Sequence, residues 1–224
     1  MRVILHLSRN KRPVPFNYQQ KLVGIFHRWL GINDYHDDLS LYSLSWLQHI
    51  GYVKKKTTAK GLHFPYGATF FISSPLQDLQ TRAVQGIFQD EEVAWGMKVN
   101  SILLEKTKDY GSKHTFVAQS PILVKRNCKV GEHQRYYYPS DPESTQFLTE
   151  TLQTKLRRLD LPTDVQVAFD KTYSNPIIKK IRYRDIDIKA TLCPVVVEGD
   201  PRAVAAAWEV GVGNSTGIGF GALR

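Results

Sequence analysis

The 224-residue sequence has few of the residues that build disulfide frameworks or structural metal sites. Its only cysteines are Cys128 and Cys193. Two distant thiols are too few for a disulfide framework or for a cysteine-rich zinc site, which uses four ligands at close spacing. Both are expected to be reduced, and no metal or other cofactor is predicted.

Long apolar runs and nucleotide-binding motifs are also missing. No run approaches the ~18 to 20 apolar residues of a membrane span, and the strand-like start Met1–Leu7 is too short for a signal peptide. We therefore expect a soluble, cytoplasmic protein with no membrane partner. The glycine-rich end has no Gly-Lys-Ser/Thr and no following helix, which argues against a P-loop and a dinucleotide fingerprint. Neither half carries the aromatic signature of an ordinary RNA-recognition motif.

Acidic residues are fewer than basic ones. The chain has 30 Lys and Arg against 21 Asp and Glu, a formal charge of +9 and a pI near 9.5. Both halves of the chain are net basic, so no basic tail accounts for the charge. This balance favours a polyanion such as a nucleic acid as the partner, although charge that only serves solubility is the alternative.

Hydrophobic periodicity predicts the same order of elements, strand, helix, strand, strand, helix, strand, in each half. In the first half, a strand at Val3–Leu7 precedes a helix over 18–30 that Asn17 caps and Gly31 ends, and a second helix starts at Ser73-Ser74-Pro75. In the second half, Asp141-Pro142 and Asp200-Pro201 open helices. The predicted fold class is α+β, with two tandem ferredoxin-like (RRM-like, βαββαβ) domains over 1–114 and 115–224.

The last fourteen residues hold five of the 15 glycines. Apolar residues alternate between these glycines, so the segment predicts a strand, a tight loop and a second strand. Because glycine permits positive φ and a close approach of a ligand, we expect this segment to touch RNA. Its candidate RNA-binding residues are Gly211, Gly213, Asn214, Ser215, Gly219 and Gly221.

A basic strand provides a second candidate RNA contact. Its cations are interleaved with Tyr183, and arginine can bind phosphate while tyrosine stacks on a base. A solvated strand face is the alternative. The candidate residues are Lys179, Lys180, Arg182 and Arg184.

His27 and His36 are the candidate catalytic residues. Metal-free RNA cleavage needs a base for the 2′-hydroxyl proton and an acid for the departing 5′-oxygen, and histidine titrates near neutral pH. The helical wheel turns His27 away from the apolar face, and His36 lies in the following loop. The alternative is that both are ordinary surface histidines, as most of the seven are expected to be.

Four segments resemble the CRISPR-associated endoribonucleases that process repeat-containing precursor RNA, a branch of the repeat-associated mysterious protein superfamily. They are Val14–Gln19, Leu41–Leu44, Thr115–Ile122 and the paired motifs Gly211–Gly213 and Gly219–Gly221. The resemblance spans nearly the whole chain. It implies two ferredoxin-like domains, with His36 as the catalytic histidine and His27 at the place of a second active-site group. The position of the family's lysine holds Asp38, and only a chain that folds back would let Lys54, Lys55 or Lys56 substitute.

The resemblance also implies the reaction and the partners. The substrate is CRISPR repeat RNA in precursor transcripts, which are processed to guide RNAs for antiviral defence. Attack by the 2′-oxygen would leave a 2′,3′-cyclic or 3′ phosphate and a 5′-hydroxyl, without metal. A CRISPR effector complex and a second copy of the chain are further expected partners. A non-catalytic guide-RNA-binding subunit is the alternative within the superfamily, and a basic scaffold protein is the alternative outside RNA biology.

Overall fold

A computed structural model describes residues 1–33, 35, 39–50, 57–58, 61–127 and 134–224. Helices and antiparallel strands alternate along both halves. The first half contains β1 (Arg2–Leu7), α1 (Gln19–Leu30), β2 (Ser43–Leu44), β3 (Gln48–His49), β4 (Thr57–Thr58), β5 (Gly61–Leu62), β6 (Ala68–Ser73), α2 (Gln77–Gln89) and β7 (Val99–Glu105).

The sheet of the first half has the strand order of a ferredoxin-like domain. β1 lies between β6 and β7, and β6 also pairs with β2 and β3, all antiparallel. Val3, Leu5 and Leu7 alternate along β1 and are buried in one core with the apolar faces of α1 and α2. The opposite face of this sheet faces the second domain, with a cleft between them lined by Arg2, His6 and other residues described below.

The second half repeats this plan with two additional hairpins. Its elements are β8 (Lys113–Phe116), β9 (Lys125–Asn127), β10 (Gln134–Tyr136), α3 (Glu143–Arg158), β11 (Val165–Phe169), β12 (Ile177–Tyr183), β13 (Ile186–Leu192), β14 (Val195–Gly199), α4 (Pro201–Val210) and the 3-10 helix Thr216–Ile218.

Three strands and the last residues of the chain form the second sheet. Its order is β11, β14, β8, and β9–β10 and β12–β13 pair as separate hairpins. Residues 222–224 lie antiparallel to 117–119. The Val117 amide donates to the Arg224 carbonyl at 2.8 Å, and the Arg224 amide donates to the Val117 carbonyl at 2.8 Å. The chain end thus occupies the fourth strand position. The predicted α+β fold with two ferredoxin-like domains is confirmed, and the predicted boundary between 114 and 115 falls inside β8.

The helix bounds follow the sequence pattern more closely than the caps do. α1 begins one residue later than predicted and ends at Gly31, which has the expected positive φ of 68°. Asn17 does not cap it, because Tyr18 occupies the N-cap position. α2 begins at Gln77 rather than at Pro75, since the Ser74 hydroxyl accepts from the Leu76 amide and holds a turn before the helix.

The cap of α4 is confirmed. Asp200 accepts from the Arg202 amide at 2.8 Å, and Pro201 is the first helical residue. Asp141 instead accepts from the Tyr138 amide, so it caps no helix and α3 begins after Pro142.

The glycine-rich end is not the predicted strand, loop and strand. Positive φ recurs along it, at Gly211, Gly213, Ser215, Gly219 and Gly221. Backbone in that region cannot continue a pleated strand, so the segment winds through a 3-10 helix and only its last three residues pair in the sheet. The glycine content correctly indicated an unusual backbone conformation here. The positions of the positive φ angles, which the sequence did not predict, determine the path of the chain.

Arg2 joins the two domains. Its guanidinium donates to the carbonyls of Leu223 at 2.6 Å and Trp208 at 3.1 Å, and it lies 3.8 Å and 3.7 Å from the ring centroids of Phe71 and Trp208. Burial lowers the pKa of Arg2 to about 10, which still leaves it charged at neutral pH. This cation from β1 therefore fixes the second domain against the first sheet. None of the described helices is long and apolar enough to cross a bilayer.

Candidate nucleic-acid interface and active site

The glycine-rich segment meets the first domain next to β2. The Thr216 hydroxyl donates to the Tyr42 carbonyl at 2.8 Å and accepts from the Lys155 ammonium at 2.8 Å. Lys155 also donates to the Val210 carbonyl at 2.8 Å, at the end of α4. One lysine of α3 therefore holds the end of α4, the glycine-rich segment and the first domain in one arrangement.

Lys155 is only 2% exposed, and its burial lowers the pKa of the ammonium from 10.5 to about 7. The carbonyls at the C-terminal end of α4 oppose that lowering, because they are the negative end of the helix. Sequence reasoning missed this residue. A signal was present, since Lys155 falls within the apolar stripe of α3, between Leu152 and Leu156, where an exposed cation is not expected.

Tyr42 is buried at the same junction. Its hydroxyl bonds the Ser40 side chain, and burial raises its pKa to about 12, so it stays protonated at neutral pH. A Cβ on Gly217 would lie 2.8 Å from that hydroxyl and would also strike the Ser40 hydroxyl. Gly217 is thus glycine because the 3-10 helix lies directly on Ser40 and Tyr42.

The structure places His27 beside this junction. Its ring centroid is 5.1 Å from that of Phe26, and the Phe26 ring is also 5.1 Å from the Tyr42 ring. His27 is half-buried rather than fully turned to solvent, and the 3-10 helix of the second domain packs against α1, the helix that carries it. The helical wheel predicted the face of α1 on which His27 lies, but it could not predict that the 3-10 helix of the second domain packs against α1.

His36 lies outside the described residues, as does Asp38. The preceding Tyr35 is described, and its hydroxyl donates to Asp78 Oδ2 at 2.8 Å. The predicted role of His36 therefore stays a prediction from sequence. Lys54, Lys55 and Lys56, the alternative cations, also lie outside the described residues, as does Cys128, while Cys193 is buried.

The predicted basic strand is an exposed hairpin. In β12–β13, Ile181 and Ile188 are paired and buried, while Lys179, Lys180, Arg182 and Arg184 are exposed. Lys180 forms an ion pair with Asp187 at 2.8 Å. Surface pairs of this kind contribute little to stability, so the cations remain able to exchange their partner for a phosphate.

Three of these cations face a cleft between the domains. The cleft has a volume of about 610 Å³. Lys179, Lys180 and Arg182 line one wall, and Trp46 and His49 of the first domain line another. The His49 ring stacks on Phe64 with centroids 4.4 Å apart. Flat rings opposite cations match the needs of a single-stranded nucleic acid.

A second cleft of about 760 Å³ lies between the second domain and the face of the first sheet that carries Arg2 and His6. Gln48 and Gln119 line both clefts, and the Gln48 amide donates to the Gln119 carbonyl at 3.2 Å between them. Sequence reasoning missed this surface because its residues are scattered along the chain. Its polar and aromatic lining includes Arg2, His6, Lys108, Tyr110, His114 and Arg224.

The candidate glycines are buried, and three of them serve the packing of the segment itself. A Cβ added at Gly211 would lie 2.6 Å from the Gly221 carbonyl oxygen, and one added at Gly213 would lie 2.5 Å from the Leu123 carbonyl oxygen. A Cβ added at Gly221 would overlap the Val212 carbonyl oxygen. Gly219 has no atom nearer than Trp46 Nε1 at 3.9 Å. The close approach that requires glycine is thus made by the chain's own backbone, and RNA contact by these glycines stays a prediction.

Asn214 and Ser215 are the half-buried part of the same segment. Asn214 Oδ1 accepts from the Lys125 amide at 2.8 Å, which fixes the side chain toward the second domain. Ser215 has a left-handed φ of 62°. Among the six candidate residues of the segment, these two have side chains that are partly open to a ligand.

Gly213→Ala and Gly219→Ala are expected to differ in how much stability they cost. Gly213→Ala should lower the free energy of unfolding by more than the ~1 kcal/mol of a positive-φ alanine, because its methyl group also meets a backbone carbonyl. Gly219→Ala should cost only about 1 kcal/mol. Urea unfolding followed by circular dichroism measures both. Equal losses in the two variants would contradict the packing role assigned to Gly213.

No three His, Cys, Asp or Glu side chains among the described residues lie close enough together to hold a metal ion.

The comparisons with known proteins identify the class of this protein as the RNA-processing proteins of CRISPR systems. Residues 104–224 match the family model described as CRISPR associated protein Cas6, C-terminal. Because this match covers more than half of the chain, the protein belongs to the Cas6 family. A search of curated protein sequences finds no match.

Solved structures with the same fold cover the whole chain. A Cas6-related gene product from Pyrococcus furiosus has a TM-score of 0.86 at 20% identity over 100% of this chain and 97% of its own. A structure described as a RAMP protein binding different RNA substrates has a TM-score of 0.82 at 20% identity, over 100% and 98%. A Cas6 product complex has a TM-score of 0.69 at 15% identity, over 100% and 99%.

Proposed function

We propose that this protein is a metal-independent endoribonuclease that cleaves CRISPR repeat RNA within precursor transcripts to give guide RNAs. Membership of the Cas6 family is the observation that supports this most. The junction of His27, Tyr42 and the glycine-rich segment supports it further, since both domains contribute to one surface there. The solved product complex of a Cas6 protein with the same fold is consistent with cleavage.

Proton transfer is the chemistry that the proposed site supplies. One imidazole removes the proton of the 2′-hydroxyl as its oxygen attacks the adjacent phosphorus, and a protonated group donates a proton to the departing 5′-oxygen. We assign the principal role in proton transfer to His36. His27 shares in the proton transfer or orients the groups that carry it out. The products are a 2′,3′-cyclic phosphate, or the 3′ phosphate formed from it, and a 5′-hydroxyl. An acid–base pair of this kind accelerates a reaction by about 10² to 10⁴-fold.

Binding of the repeat RNA is assigned to the cations of β12–β13 and to the two clefts. Lys179, Lys180 and Arg182 reach the first cleft, and Arg184 extends the basic surface at the hairpin turn. Asn214 and Ser215 add polar groups from the glycine-rich segment. Phosphate contacts by such cations give an affinity that falls steeply with salt.

A guide-RNA-binding subunit that cleaves nothing is the second candidate function. Asp38 at the position of the family's lysine favours it, and a solved structure of similar fold is described only as binding different RNA substrates. Association with a CRISPR effector complex fits either function. A homodimer remains a further proposal.

Cleavage of a labelled cognate repeat RNA in excess EDTA tests the proposed function. We expect full activity, because acid–base catalysis by histidine needs no metal. The products should carry a 2′,3′-cyclic or 3′ phosphate and a 5′-hydroxyl. Cleavage that requires Mg²⁺ or Mn²⁺ and leaves 3′-hydroxyl ends would contradict the mechanism. Tight, salt-dependent binding without any cleavage would identify the binding subunit instead.

A further inference from the structure

A buried glutamine in the wall of the cleft of about 610 Å³ has a side-chain oxygen with no partner among the described residues. Gln19 is the first residue of α1 and is only 3% exposed. No described group donates to its Oε1. Because a buried acceptor without a donor is unfavourable and rare in folded proteins, this one points to a partner from outside the chain.

The surroundings of this glutamine suit a nucleotide. Phe16 lines the same cleft and is 56% exposed, and Trp46 provides a second aromatic ring there. The cations Lys179, Lys180 and Arg182 line the cleft as well. Aromatic rings stack on any base and cations bind any phosphate, so neither distinguishes one base from another. A hydrogen-bonding side chain among them is the group that can do so.

The neighbours of Gln19 hold the cleft wall in place. The Trp46 indole Nε1–H donates to the Gly219 carbonyl at 2.9 Å, and the Tyr18 hydroxyl accepts from the Leu47 amide at 3.2 Å. The Tyr18 and Trp46 rings meet edge-on, with centroids 6.2 Å apart. A base that enters this cleft therefore finds a wall that is already ordered, which lowers the entropic cost of binding.

The start of α1 favours a phosphate beside the same cleft. No side chain caps this helix end, and its first turn has no acidic residue. A helix N-terminus carries a partial positive charge and amide donors, both of which attract an anion. Asn17 and Tyr18, which immediately precede the helix, line the cleft together with Gln19. The phosphate of a nucleotide next to Gln19 would thus lie near groups of favourable charge.

We propose that Gln19 binds the N6 amino group and N7 of an unpaired adenine in the repeat RNA and so selects adenine at one position. The amino group donates to Oε1, and an Nε2–H of the same amide donates to N7, which is the bidentate pair that glutamine forms with adenine. The last side-chain torsion of glutamine is broad, so its amide can turn toward the cleft at little cost.

The other bases lack this combination of groups. Guanine presents two acceptors at the same edge, O6 and N7, so Oε1 finds no donor there whichever way the amide is turned. The pyrimidines have no N7. This inference rests on the proposed function for the identity of the RNA, whereas the preference for adenine can be measured without cleavage.

Hexanucleotides with 2′-fluoro sugars test the preference, because they lack the 2′-hydroxyl that cleavage needs. We expect the adenosine hexamer to bind about tenfold more tightly than the inosine hexamer, which lacks the amino group, and the 7-deazaadenosine hexamer, which lacks N7. Fluorescence anisotropy at low salt measures the three affinities. These measurements use the unchanged protein and do not depend on the folding of any variant.

Gln19→Met is expected to reduce the preference to less than twofold and to leave the salt dependence of binding unchanged, since the phosphate contacts remain. Its stability to urea should equal or exceed that of the unchanged protein, because an apolar side chain of similar length replaces an unpaired acceptor. Gln20→Met is the matched control. Gln20 is exposed and lines a different hollow, so this variant should keep the tenfold preference.

Equal affinities for the three hexamers, or a preference that persists in Gln19→Met, would overturn the inference. A loss of stability in Gln19→Met with the preference unchanged would also overturn it, since that pattern is expected if Gln19 only holds a buried water. A protein that prefers the adenosine hexamer but cleaves no repeat RNA would refute the proposed function and support this inference.

Discussion

Replacing His36 with alanine is expected to slow cleavage of repeat RNA by about 10² to 10⁴-fold while RNA affinity changes by no more than a few-fold. An imidazole that carries a proton in the transition state lowers the barrier by roughly 3 to 5 kcal/mol, yet it makes few contacts in the ground state. Single-turnover kinetics and equilibrium binding of the same labelled RNA separate the two effects. His27→Ala should be milder, because His27 is assigned a shared or orienting role.

His63→Ala is the matched control for these variants. His63 lines neither of the two clefts, so its loss should leave both rate and affinity unchanged. An unchanged rate in His36→Ala would remove that residue from the mechanism. A large loss of affinity in His36→Ala would mean that it binds RNA rather than transfers a proton.

Lys155→Met is expected to destabilise the fold by about 2 to 4 kcal/mol at pH 8. Methionine fills a similar volume, but it leaves the buried Val210 carbonyl and the Thr216 hydroxyl without their donor. Because burial of the lysine at pH 8 requires loss of its proton, which is itself unfavourable, the net loss is smaller than the sum of these hydrogen bonds. Urea unfolding measures the difference. Lys113→Met is the control, since Lys113 is exposed and only pairs with Glu198.

The same lysine predicts how stability depends on pH. Its pKa is about 7 in the folded protein and near the ordinary 10.5 in the unfolded chain. Between these values the unfolded chain binds the additional proton, so this group favours folding more strongly as pH rises and contributes no slope well below pH 7. From pH 7 to pH 9 it should add about 2 kcal/mol, and Lys155→Met should lack that increment. An identical pH dependence in both proteins would show that Lys155 is not buried as described.

The local pattern of the sequence predicted much of the fold because secondary structure follows periods that neighbouring residues set. Val3, Leu5 and Leu7 marked β1 by alternation, and the apolar stripe from Leu22 to Leu30 marked α1 to within one residue. Helix caps were less predictable. Asn17 and Asp141 have capping side chains, but Tyr18 occupies the N-cap position of α1, and Asp141 accepts from the Tyr138 amide in a local turn.

The candidate site was only partly predictable for the same reason. Residue types pointed to His27 and the hairpin cations, whereas nothing local indicated that Tyr42, Lys155 and Thr216 would form one hydrogen-bonded junction across more than half of the chain. The glycines were noticed for their density, but their neighbours proved to be other parts of the chain, such as Leu123 and Val212 in the second domain and Tyr42 in the first. Contacts between distant segments do not follow from the period of either one.

By itself, the sequence determined the two βαββαβ units and the basic character of the chain, since these depend on periodicity and charge, and the resemblance of four motifs to a known family indicated the class of protein. The tertiary structure alone decided that the chain end completes the second sheet, that Arg2 joins the domains, and that Lys155 bonds Val210 and Thr216. The physical reason is that burial and hydrogen bonding act on groups that only the folded chain brings together. The sequence does not distinguish a buried lysine such as Lys155 from an exposed one. The difference lies in the carbonyl groups that the folded chain places around the buried ammonium.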